Sequence, residues 1–261
     1  MNPQSKRGAR ITFLGHSSAL ISIADKNIIT DPNLSRRISL FIRRRSALPF
    51  TAAALPRIDL ALVSHGHYDH LDVPTLKKLG KDVPVVAPPG LERVLKRASR
   101  QVITLAPWEQ IKLQQVNITA VPAKHFGGRP PLYFCTGYQG YIIEGSAVIY
   151  FAGDTGLFDG ISDIANRWKI DAALLPVGAY EPPPFRENHM APEDAVEAAH
   201  ILRARALIPI HWGAFKLSLE PFTEPIPRLL QAAERAGMKE TIRVLEPGES
   251  LTIGPLPERE L

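Results

Sequence analysis

Short apolar runs alternate with turn-forming residues along the whole chain. The brief runs, rich in Val, Ile, Leu and Phe, have the length and composition of strands. They predict strands at 10–14, 20–24, 28–30, 58–63, 84–87, 102–105, 111–113, 116–121, 139–144, 147–152, 171–175, 206–210, 242–245 and 250–253. Stretches with helical spacing predict helices at 74–79, 90–97, 161–168, 191–203 and 226–236. This mixture predicts an α/β fold.

The most informative polar segment follows the predicted strand at 58–63 and reads Ser64-His65-Gly66-His67-Tyr68-Asp69-His70-Leu71-Asp72. Imidazole and carboxylate groups together suit zinc, iron or manganese. A loop can wrap neighbouring side chains around an ion, whereas a strand would point them to opposite faces. Asp72, two residues before Pro74, is expected to cap a helix. The segment therefore predicts a metal site.

Three further candidate ligands follow other predicted strands. They are His125 after 116–121, Asp154 after 147–152 and His211 after 206–210. Taken alone, each has an ordinary explanation as a partly buried histidine or a turn aspartate. Because functional groups collect on the loops at strand ends, we expect these residues to join the first segment in one site.

Composition restricts the class of protein without naming a substrate. The chain has 261 residues, 45% of them hydrophobic, which is enough for a sizeable core, and we predict a single domain over 1–261 with its core at about 10–253. The net charge of +5 permits anionic partners, but no aromatic-basic interleaving is visible and no nucleic-acid partner is expected. The oligomeric state stays open.

Location is predicted from cysteine usage and hydropathy. Cys135 is the only cysteine, which excludes an intrachain disulfide and favours a reducing, cytoplasmic environment. Residues 1–10 are polar and basic, so no signal peptide is expected, and no apolar run is long enough to span a bilayer.

Residues 33–57 interrupt the strand pattern. Five arginines, Arg36, Arg37, Arg43, Arg44 and Arg45, surround Leu40-Phe41-Ile42. One interpretation is a solvated loop or short helix that covers the core. The other is a basic, partly apolar lip, spanning Arg36–Arg45, that contacts an anionic head group or a membrane surface peripherally.

The metal-type segment and several others together resemble the metallo-β-lactamase superfamily, in the branch of the N-acyl-phosphatidylethanolamine phospholipase D-like proteins, which is related to the ascorbate-6-phosphate lactonases. The matching segments lie within about residues 10–235. They are Thr12-Phe13-Leu14-Gly15-His16-Ser17-Ser18, Thr30-Asp31-Pro32, Phe151-Ala152-Gly153-Asp154-Thr155-Gly156, Leu175-Pro176-Val177-Gly178-Ala179-Tyr180-Glu181-Pro182 and Ile210-His211-Trp212-Gly213. The resemblance implies a four-layer αβ/βα sandwich.

The same resemblance implies a ligand set for two divalent ions. His65, His67 and His125 are expected to bind the first ion, and Asp69, His70 and His211 the second. Asp154 is expected to bridge them, since a carboxylate has two oxygens. All seven positions carry the expected residue type, and no thiolate is among them. Zinc is favoured by the resemblance, with manganese and iron open.

The implied reaction is hydrolysis by a metal-bound hydroxide, with Asp69 or Asp154 accepting its proton. A phosphodiester such as a phospholipid is the favoured substrate. A lactone or a small phosphorylated metabolite is the alternative, and RNA cleavage is a weaker one. A metal-binding protein without turnover is the non-enzyme alternative, which the complete ligand set argues against.

Other residues are expected near the pocket. His189 resembles a histidine close to the active site in the phospholipase D-like branch, and it is interpreted as a substrate-phosphate contact or proton donor, with a structural role at the helix entry as the alternative. His16 is expected behind the ligands or on the pocket floor, Tyr180 and Glu181 at the mouth, and Trp212 on the wall. His200 is expected to be structural.

Overall fold

Two large β-sheets, one two-stranded sheet and five α-helices are present in the computed structural model, which describes residues 8–38, 42–48, 50–129 and 136–254. The strands are β1 (Ala9–Gly15), β2 (Ser18–Ile23), β3 (Lys26–Thr30), β4 (Arg37–Ile38), β5 (Ile42–Arg43), β6 (Leu60–Leu62), β7 (Val85–Ala87), β8 (Val102–Thr104), β9 (Gln110–Leu113), β10 (Val116–Val121), β11 (Gly140–Glu144), β12 (Val148–Phe151), β13 (Ala172–Pro176), β14 (Leu207–Ile210) and β15 (Ser250–Ile253). The helices are α1 (Val73–Leu79), α2 (Glu92–Leu95), α3 (Gly160–Arg167), α4 (Pro192–Ile201) and α5 (Pro225–Arg235).

The first sheet has seven strands in the order β15-β1-β2-β3-β6-β7-β8, and the second has six in the order β14-β13-β12-β11-β10-β9. Parallel pairs join β3 to β6 in the first sheet, and join β12, β13 and β14 in the second. The carboxyl ends of these strands therefore share an edge within each sheet. This edge is where the predicted site residues leave their strands.

Three layers of apolar side chains hold the sheets and helices together. Phe13 and Ile21 of the first sheet pack with Ile118 and Tyr141 of the second in one buried cluster, so the sheets face each other. A second cluster joins the outer face of the second sheet to helices α3, α4 and α5. A third joins the first sheet to α1 and α2. The order helix, sheet, sheet, helix confirms the predicted four-layer sandwich.

Most predicted elements are present, with two differences among them. The predicted strand at 242–245 was wrong, because only Ile242 forms an isolated bridge, with Leu207, and Val244 and Leu245 pack into different apolar layers. Helix α2 is shorter than the predicted 90–97 and is limited to Glu92–Leu95. Asp72 caps α1 as expected, accepting a hydrogen bond from the Thr75 amide.

Residues 33–57 contain a short hairpin rather than only a loop or helix. Strands β4 and β5 pair in antiparallel fashion, and a single 3-10 turn follows at Ala52–Ala54. Ile38 packs against Phe215, next to the loop that follows His211. Leu40, Phe41 and Cys135, which were singled out in the sequence, lie outside the described residues.

No helix within the described residues is both long enough and apolar enough to cross a membrane.

Two fully buried tyrosines provide a matched test of the sandwich. The Tyr141 hydroxyl donates to the Val63 carbonyl oxygen at 2.8 Å and accepts from Gln139 at 2.9 Å, so it links the second sheet to the end of β6. The Tyr150 hydroxyl has no hydrogen-bonding partner among the described residues. Tyr141→Phe should lower the free energy of unfolding by about 1–2 kcal/mol, because it leaves buried polar groups unpaired.

Tyr150→Phe is the control and should change the free energy of unfolding by less than about 0.5 kcal/mol, or increase it. Denaturant unfolding of both variants under identical conditions measures the difference. Equal losses for the two substitutions would contradict the assigned role of the Tyr141 hydroxyl.

Candidate metal centre

The edge of the sandwich gathers a cluster of buried histidines and aspartates. Residues His65 to His70 lie on the loop after β6, and His125, Asp154 and His211 follow β10, β12 and β14. His16 follows β1, and His189 lies just before α4. His67 is partly buried, and the other histidines and aspartates of this cluster are buried. The structure thus brings all seven predicted ligands and His189 together.

One group of donor atoms consists of three imidazoles. The Nδ1 atom of His67 lies 2.9 Å from Nε2 of His65 and 3.3 Å from Nε2 of His125. Around a tetrahedral zinc ion with bonds of about 2.0–2.1 Å, ligand atoms are about 3.3 Å apart. The three nitrogens therefore converge at the spacing that a shared cation requires.

A second group surrounds Asp69. Its Oδ2 atom lies 3.2 Å from Nε2 of His70 and 3.2 Å from Nε2 of His211. Nε2 of His16 is also close, 2.9 Å from the same oxygen. These four side chains offer ligand atoms that all lie within 4.8 Å of one another. The spacing again fits one cation, with His16 as an additional neighbour of Asp69.

Asp154 lies between the two groups. Its Oδ2 atom is 3.1 Å from Nε2 of both His70 and His211, and 3.9 Å and 4.0 Å from Nε2 of His65 and His125. Its Oδ1 atom and Nε2 of His70 are buried without a hydrogen-bonding partner among the described residues. Such buried orphan atoms are expensive unless a ligand engages them, so the donor set fits divalent cations.

Hydrogen bonds at Nδ1 leave the other ring nitrogen of three histidines free to face the cluster. Nδ1 of His70 donates to Asp31 Oδ2 at 2.6 Å, and Nδ1 of His65 donates to the Ser64 hydroxyl at 2.9 Å. Nδ1 of His125 donates to the Asn188 carbonyl oxygen at 3.0 Å. Partners of this kind fix the orientation and tautomer of metal-binding imidazoles.

Asp31 supports two of these histidines at once. Its Oδ1 atom accepts from the Ser64 amide at 2.7 Å, and Oδ2 accepts from the Ser64 hydroxyl at 2.6 Å as well as from His70. Thr30-Asp31-Pro32 is one of the segments that carry the family resemblance, but no role for Asp31 was predicted from the sequence. The position of Asp31 is the signal that could have identified this role. Asp31 directly follows β3, and β3 pairs in parallel with β6, the strand before the loop of His65–His70.

Two further side chains hold the loop of His65–His70 from outside. Arg129 Nη1 donates to the carbonyl oxygens of Gly66 and Leu71, both at 2.9 Å, and its guanidinium stacks on Tyr68. Asn33 Nδ2 donates to the Asp69 carbonyl oxygen at 2.9 Å. The loop conformation therefore depends on ordinary hydrogen bonds. Neither Arg129 nor Asn33 was predicted from the sequence.

Electrostatics differ between the two groups. Burial, together with neighbouring histidines, holds the pKa of His65 well below its usual range, and burial lowers the pKa of His125 to about 3. Both are therefore neutral at pH 7, the form that binds a cation. Burial alone would lower the pKa of His211, but Asp154 and Asp69 raise it to about 9.

The aspartates show the complementary effect. Burial by itself would raise the pKa of Asp69 and of Asp154, but the surrounding histidines hold both pKa values well below the usual range. For Asp69 the opposing contacts are His70, His16 and His211, and for Asp154 they are His211 and His70. Both carboxylates are thus ionised and supply negative charge for cations.

The remaining predicted pocket residues divide into two groups. His189 is at the site, with Nε2 3.6 Å from Asp154 Oδ2 and Nδ1 donating to the Phe185 carbonyl oxygen. The Trp212 ring stacks on Phe13, and its Nε1 atom donates to the Pro209 carbonyl oxygen, so this ring packs against the core. Tyr180 is buried and donates to Glu224, while His200 is exposed on α4.

Comparison with known proteins agrees with this geometry. The sequence profile described as "Beta-lactamase superfamily domain" matches residues 26–212. The N-acyl-phosphatidylethanolamine-hydrolyzing phospholipase D 1 of Caenorhabditis elegans is 32% identical over 265 residues, which cover 91% of this chain and 73% of the relative. A metal-dependent hydrolase of Pelotomaculum thermopropionicum is 31% identical over 250 residues, which cover 94% of this chain and 100% of the relative.

A solved structure extends the agreement to the backbone. The metallo hydrolase Igni18 of Ignicoccus hospitalis superimposes with a TM-score of 0.73 at 25% identity, covering 94% of this chain and 97% of that one. The fold, the cluster of donor side chains and the known relatives all indicate the same family. The chain therefore belongs to the metallo-β-lactamase superfamily, in the branch of the N-acyl-phosphatidylethanolamine phospholipase D-like proteins, and is a metal-dependent hydrolase.

Proposed function

We propose that the protein is a binuclear hydrolase that cleaves a phosphodiester, with a phospholipid as the favoured substrate. The observation that carries the proposal is the pair of donor groups around His67 and Asp69, with Asp154 Oδ2 between them. His65, His67 and His125 would hold one divalent ion, Asp69, His70 and His211 the second, and Asp154 both. Zinc is favoured, with manganese and iron as alternatives.

Divalent ions held there would lower the pKa of a bound water and offset negative charge on the attacked phosphorus. The chain itself supplies a proton acceptor. Asp154 would act through Oδ1, which is buried without a hydrogen-bonding partner among the described residues, while its Oδ2 atom faces both donor groups. Asp69 is the alternative acceptor, although its Oδ2 atom already contacts His16 and His211.

His189 is proposed to contact the substrate phosphate or to give a proton to the leaving oxygen. Because its Nδ1 atom is bonded to the Phe185 carbonyl, Nε2 is the nitrogen left to face Asp154 and the cluster. An anionic phosphoryl group beside this nitrogen would favour a proton there. The proposed contact between His189 Nε2 and the phosphate would form only when substrate is bound.

The preference for a lipid-like substrate rests on two observations. The phospholipase of Caenorhabditis elegans is among the relatives. In addition, three exposed aromatic rings border the histidines: Phe126 lies 4.7 Å from His125, Tyr138 6.2 Å from the same ring and Phe185 6.3 Å from His189, measured between ring centroids. An apolar border of this kind suits a substrate that carries hydrocarbon next to its phosphate.

The reaction class is tested by metal content and turnover together. Elemental analysis of the purified protein should give about two transition-metal ions per chain. The metal-loaded protein should hydrolyse bis(p-nitrophenyl) phosphate and release N-acylethanolamine from N-acyl-phosphatidylethanolamine. Two bound ions with hydrolysis of phosphorylated sugar lactones but not of phosphodiesters would overturn the phosphodiester assignment. Failure to bind metal after reconstitution would remove its basis.

Substitution of a proposed ligand tests the donor groups directly. His67→Ala should leave about one metal ion per chain and lower turnover about a thousandfold, since Lewis-acid stabilisation is worth several kcal/mol. The circular dichroism spectrum should stay unchanged, because the apolar layers do not involve the cluster. His200→Ala, an exposed histidine on α4, is the matched control and should keep both ions. A variant at His67 with full metal content and turnover would refute the ligand assignment.

Asp31→Asn tests the support behind the ligands. The variant keeps the side-chain size but weakens the bonds to His70 and Ser64, and we expect a 10- to 100-fold loss of metal affinity, roughly the usual cost of removing such a partner. Competition with a chelator measures the affinity. Asp59→Asn is the control. Asp59 directly precedes β6, at the end of this strand opposite the metal centre, and its carboxylate accepts a hydrogen bond from the Asn27 amide. Similar affinity losses in both variants would mean that the effect is not specific to Asp31.

A further inference from the structure

A large cleft lies outside the metal centre, between the β4–β5 hairpin and α1. Its volume is about 1050 Å³. The basic side chains that line it are Arg36, Arg37, Arg43, Arg44 and Lys78, and no aspartate or glutamate is among the described lining residues. Because clefts lined by one sign of charge concentrate the field, this cleft attracts anions more strongly than a flat surface would.

Three of these cations have no carboxylate partner among the described residues. Arg36, Arg43 and Lys78 are exposed, and none of them takes part in an ion pair between described residues. Their mutual repulsion is relieved when an anion enters. The cleft is therefore suited to a ligand with at least one negative charge.

Arg44 supplies a fixed cation at the inner wall. Its guanidinium donates to the carbonyl oxygens of Ser35 and Asn33 and stacks on Phe215 at 4.5 Å, while Nη1 has no partner among the described residues. Burial lowers the pKa of Arg44 to about 10, which still leaves it charged at pH 7. The side chain is thus held in place as a fixed positive charge beside the cleft, with Nη1 buried inside the protein rather than exposed to a ligand.

Apolar side chains share the same cleft. Leu34, Leu48 and Phe50 line it beside the cations. A fully polar anion such as inorganic phosphate would leave this apolar surface uncovered. An amphiphile, with a phosphate next to hydrocarbon, matches both kinds of lining.

The loop after β3 lines the cleft and also supports the metal centre. Strands β3 and β6 are parallel, so the loops that follow them leave from the same edge. The loop after β3 contributes Arg36 to the cleft and Asn33 to the support of Asp69. The loop after β3 therefore connects the cleft to a residue that supports the metal centre.

We propose that this cleft binds the phosphate groups of anionic phospholipids and docks the protein on an anionic membrane surface. The cations anchor the head groups, and the apolar lining covers the adjacent hydrocarbon. This docking is independent of the substrate, so a protein that binds vesicles without cleaving any lipid would support the docking while refuting a phospholipid as the substrate.

The test measures binding to vesicles of phosphatidylcholine with and without phosphatidylglycerol. The metal-loaded protein should sediment with the mixed vesicles at low salt, and binding should weaken strongly at 1 M salt. The triple variant Arg36→Gln, Arg43→Gln, Lys78→Gln should bind on the order of a hundredfold more weakly, since each basic residue near such a surface contributes about a factor of five.

The matched control removes three exposed cations from the other half of the molecule. It carries Lys112→Gln, Lys169→Gln and Arg235→Gln, which lie on β9, after α3 and on α5. It has the same net charge as the cleft variant and should keep most of the binding. Equal binding to pure phosphatidylcholine vesicles, equal losses in the two variants, or full competition by inorganic phosphate or single-stranded RNA would overturn the proposal.

Discussion

The burial of two carboxylates, Asp69 and Asp154, is the constraint on which the site depends. An ionised group away from water is costly unless charge and hydrogen bonds compensate it. Histidines from both sheets supply that compensation, and the low pKa values of both aspartates record it. Yet Asp154 Oδ1 and Nε2 of His70 stay unpartnered within the described chain. The protein thus concentrates polar groups that it satisfies only in part, an arrangement that fits a bound metal ion.

The backbone at the strand ends is shaped to make this concentration possible. His16, Asp31 and His211 adopt positive φ angles of 58°, 34° and 61°, a conformation that is uncommon for residues other than glycine. Each follows a strand directly, so the turn redirects the side chain from the sheet toward the cluster. The amide of His211 bonds to the carbonyl of His16 at 2.9 Å, which ties the two sheets together beside Asp69. Such strain persists where surrounding contacts enforce it, commonly at functional sites.

How far the sequence predicts this structure depends on the range of the interactions. The ligand candidates were visible because His-x-His-x-Asp-His is dense and each remaining donor follows a strand. The Asn188 carbonyl that orients His125 could not be predicted, since every residue has a carbonyl and only the fold selects one. The strand predicted at 242–245 failed for a related reason, as its apolar alternation serves two different core layers rather than sheet pairing. The β4–β5 hairpin was missed because its apolar contact, with Phe215, is distant in sequence.

The distribution of donors between the sheets has a consequence for assembly of the site. The loop after β6 supplies four of the proposed ligands and is already fixed by Asp31, Asn33 and Arg129 through hydrogen bonds that need no ion. The second sheet supplies the other three from three separate strand ends. A cation bound there would therefore join a preorganised half to a half whose three ligands come from separate strand ends. Because preorganisation lowers the ordering cost of binding, the framework behind the ligands contributes to metal affinity alongside the ligands themselves.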